Sequence, residues 1–143
     1  MTSYSFLSSP SLPTAANSHG VLAIVKALKL EDKGLEIVDA YGKTRSDEFI
    51  AMNPCHCCPT LEFGGDKGAI WESCACMRTL CQLFEGGEKF YPNDPVLRGK
   101  IDLVCDWKNT VCLLIATSCL CVIAESLTHV LFTSTSLSLS YPV

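Results

Sequence analysis

The chain has 143 residues and a formal net charge of −4 at neutral pH, about the size of one domain. No run of Lys or Arg interrupts the acidic balance, so there is no basic field for nucleic acid, and nucleic acid is excluded as a partner. Ten cysteines are enough for a disulfide scaffold or a metal site. Yet Met1-Thr2-Ser3-Tyr4-Ser5-Phe6 lacks the basic start and long apolar core of a secretory signal, so reduced thiols and a cytoplasmic location are expected.

Ser3 to Phe6 is short and alternating, a strand, and the Ser/Pro-rich stretch Leu7 to Pro13 reads as a loop. Val21 to Leu30 carries apolar residues at helical spacing with Lys in the gaps. Gly34 to Asp39 alternates like a half-buried strand, and Ser46 to Met52 reads as a short helix that Pro54 stops. Pro59 to Phe63 and Gly68 to Trp71 are short strands joined by the polar, Gly-rich connection Gly64-Gly65-Asp66-Lys67, a hairpin. Ser73 to Phe84 reads as an amphipathic helix closed by Gly86-Gly87. The order β-α-β-α-β-β-α defines an α/β fold.

Beyond Asn109 the composition changes. Val111 to Ala124 is uncharged and rich in Cys, Leu and Ile, and Ser126 to Val143 is a low-complexity Ser/Thr/Leu tail. A helix bundle would show charged faces at helical period, which this segment lacks. Its uncharged run is also shorter than the roughly 18 to 20 residues that span a bilayer, so a membrane is not expected as a partner.

Two motifs carry the chemistry. Asn53-Pro54-Cys55-His56-Cys57-Cys58-Pro59-Thr60-Leu61-Glu62 places a proline just ahead of an apolar strand, where the residue before it is forced extended and can pair with a peptide. Ala69-Ile70-Trp71-Glu72-Ser73 ends a strand in an acid and a serine and then opens a helix, turning N–H groups and a hydroxyl toward an arriving carboxylate. Together they resemble the glutathione-binding half of the cytosolic glutathione transferases.

The resemblance implies a thioredoxin-like domain over residues 1–88, an inter-domain linker at 89–95 containing Phe90 to Pro95, a truncated helical segment at 96–125 and the tail at 126–143. It implies that Pro59 is cis and that Cys58 holds the cysteinyl part of glutathione through its main chain, as an added strand would. Glu72 then suits the γ-glutamyl ammonium and Ser73, as a helix cap, the carboxylate. Cys57 stands where members commonly carry a cation or amide for the glycyl carboxylate, which implies weaker binding.

Members stabilise the glutathione thiolate from the end of the first strand or the start of the first helix. Ala15 falls where theta- and phi-type members carry Ser, with Thr14 one place away; Asn17 falls where nu-type relatives use Asn, and Ser18 follows it. These residues are the candidates for the activating group, and Tyr4 reads as a packing residue. Structural zinc sites pair their ligands at spacings unlike adjacent Cys57 and Cys58, and Cys74 and Cys76 would point to different helix faces, so no metal is expected. A thioredoxin-type redox motif belongs at the start of the first helix, where no Cys occurs.

The function so implied is conjugation of the glutathione thiolate to small electrophiles, with glutathione as co-substrate and a homodimer as the expected assembly. The specificity-giving helical domain is missing or truncated, which implies that the chain as written is inactive. The alternative is a non-catalytic interaction module of the same fold, as in elongation factor 1 gamma. Three readings of the last third stay open: a translated intron in place of the helical domain, a short variant that packs on a partner, and a tail-type membrane anchor.

Overall fold

The computed structural model describes residues 4–8, 16–65 and 67–112. In chain order these form β1 (Tyr4–Ser8), α1 (Ala16–Ala27), β2 (Leu35–Asp39), α2 (Asp47–Met52), β3 (Thr60–Phe63), β4 (Ala69–Trp71), α3 (Ser73–Leu83) and α4 (Pro95–Trp107). The four strands make one sheet in the order β2-β1-β3-β4, with β1 parallel to β2 and the β1–β3 and β3–β4 pairs antiparallel. A parallel βαβ unit is thus joined to an antiparallel hairpin, the thioredoxin-like arrangement.

Alternation along β1 sends Phe6 and Leu7 to opposite faces, and each face has its own core. Phe6 joins Val21, Val25, Leu28, Leu35, Leu61, Cys76 and Leu80 beneath α1 and α3. Leu7 joins Ala40 and Phe49 beneath α2, with Val38, Met52 and Cys58 packed at the margin. Full burial of side chains such as Phe6 and Leu61 contributes about 1.5–3 kcal/mol each. Tyr4 is a packing residue, set edge-on to Phe63 and Phe84 at centroid separations of 6.2 and 5.4 Å.

Two elements differ from the sequence reading by more than one residue at an end. Leu7 and Ser8, expected in the loop, are strand residues, because β2 runs long enough to pair Val38 and Asp39 with them and the α2-side core buries Leu7. The first helix begins at Ala16 and ends at Ala27, five residues earlier at its start than expected and three at its end. Ser18 extends the buried stripe of Val21, Val25 and Leu28 by one turn, and Lys29 turns the chain at φ 51° so that Leu30 is fully buried.

The six-residue α2 is held at both ends. Ser46 caps it, its Oγ accepting from the Phe49 amide at 3.2 Å, and the Asn53 amide closes it on the Phe49 carbonyl at 2.7 Å. The hairpin turns through Gly65 and Gly68, both at positive φ, with the Phe63 amide donating to the Gly68 carbonyl at 2.9 Å.

The chain divides into two compact units, one ending at Arg98 and the other beginning at Gly99. The Arg98 guanidinium, near the start of α4, lies over the Tyr91 ring at 4.8 Å and donates to the Pro92 carbonyl and Asn93 Oδ1. α4 starts with Pro95 at its first position, and Asp94 Oδ1 accepts from the Leu97 amide at 2.8 Å. Val96, Leu97, Leu103, Val104 and Trp107 on this helix are exposed. A π-turn follows at Lys108–Cys112, and the expectations for 113–143 lie outside the described residues.

Candidate functional site

Strand register brings the two sequence motifs to one end of the sheet. Thr60 pairs with Trp71 across β3–β4 and with Leu7 across β1–β3. Pro59 precedes Thr60, Glu72 follows Trp71 and Ser8 follows Leu7, so all three adjoin these last pairs of the two ladders. α1 runs back over the sheet from the end of β1, so its first turn, with Asn17 and Ser18, belongs to this same end.

The peptide bond between Cys58 and Pro59 is cis, as the resemblance implies, and Pro59 is fully buried. The Cys58 side chain packs on the α2-side core, so what Cys58 offers a ligand it offers through its main chain. Cys57 is half-buried, and its carbonyl is turned inward, accepting from Asn53 Nδ2 at 2.9 Å and from Thr60 Oγ1 at 3.0 Å. Cys55 and His56 are exposed, and His56 sits at φ 41° with its amide donating to the Asn53 carbonyl at 2.9 Å.

The acid and serine after β4 differ in one respect from expectation. Ser73 is the first residue of α3 rather than its cap, and Glu72 occupies the cap position at φ 75°, ψ 119° with no side-chain capping bond. That left-handed backbone costs a non-glycine residue on the order of 1–3 kcal/mol, and strain of this kind clusters at functional sites. The turn leaves the Glu72 side chain exposed and buries Ser73 in the first turn of α3. There the N-terminal amides and helix dipole favour a carboxylate.

Of the candidate activating residues, Asn17 is exposed in the first turn of α1, while Ser18 is 1 % exposed and its hydroxyl has no hydrogen-bond partner among the described residues. Thr14 lies outside the described residues. The Ser8 hydroxyl is likewise buried without a partner among the described residues, and alternation turns it to the α1 side of the sheet.

Seven described cysteines are present as thiols. Burial pushes the Cys76 thiol up to about 12, with the nearby Glu72 carboxylate and Cys57 adding to it, and Cys76 Sγ donates to the Ile70 carbonyl at 3.8 Å. Burial also raises Cys81. Neither is a nucleophile in this state. Among the described residues no three of His, Cys, Asp and Glu converge to hold a metal ion, and no helix is long and apolar enough to cross a membrane.

Sequence reasoning passed over Asn53 as a contributor. Its side chain, fully buried, ties together the loop that leads to Pro59. The only signal was an Asn-Pro pair, which marks a turn without saying what the Asn holds.

A strand preceded by a cis-proline, beside an acid–serine helix start on a β2-β1-β3-β4 sheet, defines a thioredoxin-like domain. Residues 15–83 match the family of the glutathione S-transferase N-terminal domain. The chain is 31 % identical over 94 residues to Glutathione S-transferase 1 of Manduca sexta, covering 64 % of this chain and 42 % of that protein. An epsilon-class glutathione S-transferase from the housefly, Musca domestica, superposes with a TM-score of 0.63 at 26 % identity, over 76 % of this chain and 47 % of that one. A glutathione transferase homolog from Drosophila mojavensis, solved with bound glutathione, gives 0.64 at 26 % identity, over 78 % and 48 % of the two chains. Residues 15–83 are those of a glutathione S-transferase N-terminal domain, and the chain spans less than half the length of the curated relatives it matches.

Proposed function

We propose that the domain binds glutathione, with the main chain of Cys58 at Pro59 taking the cysteinyl part as an added strand. Glu72 receives the γ-glutamyl ammonium and Ser73, with the first turn of α3, its carboxylate; Cys57 borders the glycyl end without supplying a cation. The reading is supported by the strand register, whose Thr60–Trp71 pair lies one residue from Pro59 on one strand and one from Glu72 on the other, as two motifs addressing one extended ligand would require.

The chemistry proposed is conjugation in the cytoplasm. The glutathione thiol loses its proton to solvent, the Asn17 amide or the Thr14 hydroxyl hydrogen-bonds the thiolate, and the sulfur forms a bond to an electrophilic carbon as that carbon's leaving group departs. In this reading the electrophile is held by a helical second half. Retention on immobilised glutathione, lost in Ser73→Ala, is the expected result; no retention at millimolar ligand overturns the proposal. A binding-only module is the second reading. It is favoured by Ser18, whose hydroxyl is closed off from any ligand thiol.

A further inference from the structure

We infer that Asn53 is the positioning residue of the glutathione edge, a role that rests on the binding reading above. Asn53 is the last residue before the loop 54–59 and is fully buried. Its Nδ2 donates to the Cys57 carbonyl and to Thr60 Oγ1, both at 2.9 Å, and approaches Cys57 Sγ at 3.7 Å. Its Oδ1 accepts from the Cys55 amide at 2.9 Å. Its own carbonyl accepts from the His56 amide at 2.9 Å, and its own amide donates to the Phe49 carbonyl at 2.7 Å.

One residue thus fixes the loop at Cys55, His56 and Cys57 and anchors both ends, α2 through Phe49 and β3 through Thr60. Thr60 closes the network by donating from Oγ1 to the same Cys57 carbonyl at 3.0 Å. These bonds turn the Cys57 carbonyl inward, and the Cys58 amide, which lies in the same trans peptide group, is thereby turned the opposite way. The orientation of Cys58 is therefore set by Asn53 at one remove. Both faces of the carboxamide are used, donors on one and acceptor on the other, and no other side chain of this size offers both in that plane. Hydrophobic packing could fill the volume but could not orient the Cys57 carbonyl.

The test is calorimetric titration of the full chain with glutathione, on samples with the wild-type circular dichroism spectrum and well below their melting temperatures. Asn53→Ala is expected to raise Kd about tenfold, the loss of a buried hydrogen-bonding group read through the site. Thr60→Val, which removes only the bridging hydroxyl, is expected to raise it about threefold and to serve if Asn53→Ala does not fold. Asn53→Asp supplies the readout that a structural role would not move. An ionised carboxylate repels the Cys57 carbonyl, while the protonated acid can donate to it, so the Kd ratio to wild type should shrink as pH falls from 7 to 5. Taking the ratio cancels titration of His56 and of Glu72, the ionisable groups near the loop and the ligand that both proteins share. Wild-type binding with all variants within twofold of it, whatever their melting temperatures, overturns the role of Asn53 and leaves the binding reading standing. A wild-type chain that does not bind millimolar glutathione overturns the binding reading itself.

Discussion

Glu72 and Cys76 show two ways in which single residues at this site hold energy. Glu72 sits at φ 75°, so Glu72→Gly should relieve backbone strain of about 1–3 kcal/mol while adding about 0.5–1 kcal/mol of unfolded-state freedom. The net expectation is about 1 kcal/mol of added stability in urea denaturation together with weakened retention on glutathione. A variant that is both less stable and fully retained would refute the assignment of strain and of function alike. Cys76 works through its proton. Its folded pKa is raised from 9.0 to about 12, so between those values the unfolded chain has lost a proton that the native protein keeps, and stability falls as pH rises. Denaturation midpoints should be level in this contribution below pH 9 and fall above it at up to about 1.4 kcal/mol per pH unit. Cys76→Val should flatten that decline; an unchanged slope in the variant would show that other groups cause it.

At the scale of elements, the strands and helices that carry their own pattern were legible and those set by partners were not. Gly34 to Asp39 alternates and is β2; the glycines after Phe63 announce the hairpin that is there. Leu7 and Ser8 look like loop because serine and proline surround them, and only pairing with β2 makes them strand. Of the proposed site, the sequence motifs name Pro59 and Glu72-Ser73, but not a side chain that acts through geometry. Asn53 is ordinary in sequence, and the left-handed backbone of Glu72 leaves no trace there.

Because α2 has only six residues, its stability depends on its ends. Ser46→Ala removes the bond to the Phe49 amide and should lower stability by about 1 kcal/mol. Since α2 closes on Asn53, the same change should speed amide exchange of Cys55 and His56 relative to Phe6 in the sheet. Equal protection of the two regions in the variant would show that α2 and the loop are uncoupled. Packing is less forgiving after α3. A Cβ on Gly87 would collide with the backbone of Cys81, so Gly87→Ala should cost at least about 1–3 kcal/mol in the same denaturation experiment.

At the scale of the whole molecule, what the chain shares with its relatives decides what it can do. It covers 42 % of the Manduca sexta protein and 47 % of the housefly chain, and the shared part holds the proposed glutathione edge but less than half of each relative. α4 exposes Val96, Leu103, Val104 and Trp107, whose apolar surface is of the kind a helical layer buries. Binding and conjugation should therefore separate experimentally. The purified chain should be retained on immobilised glutathione and show no conjugation of an aryl halide above the rate of glutathione in buffer, since orientation of the second reactant supplies much of such a rate. Fusing the helical half of the Manduca sexta relative after Trp107 should raise conjugation above that background without changing the glutathione Kd, and Asn17→Ala in the fusion should lower the rate while leaving Kd in place. If the unfused chain conjugates at the rate of the fusion, the electrophile is held by the N-terminal half, and the division of labour argued here is wrong.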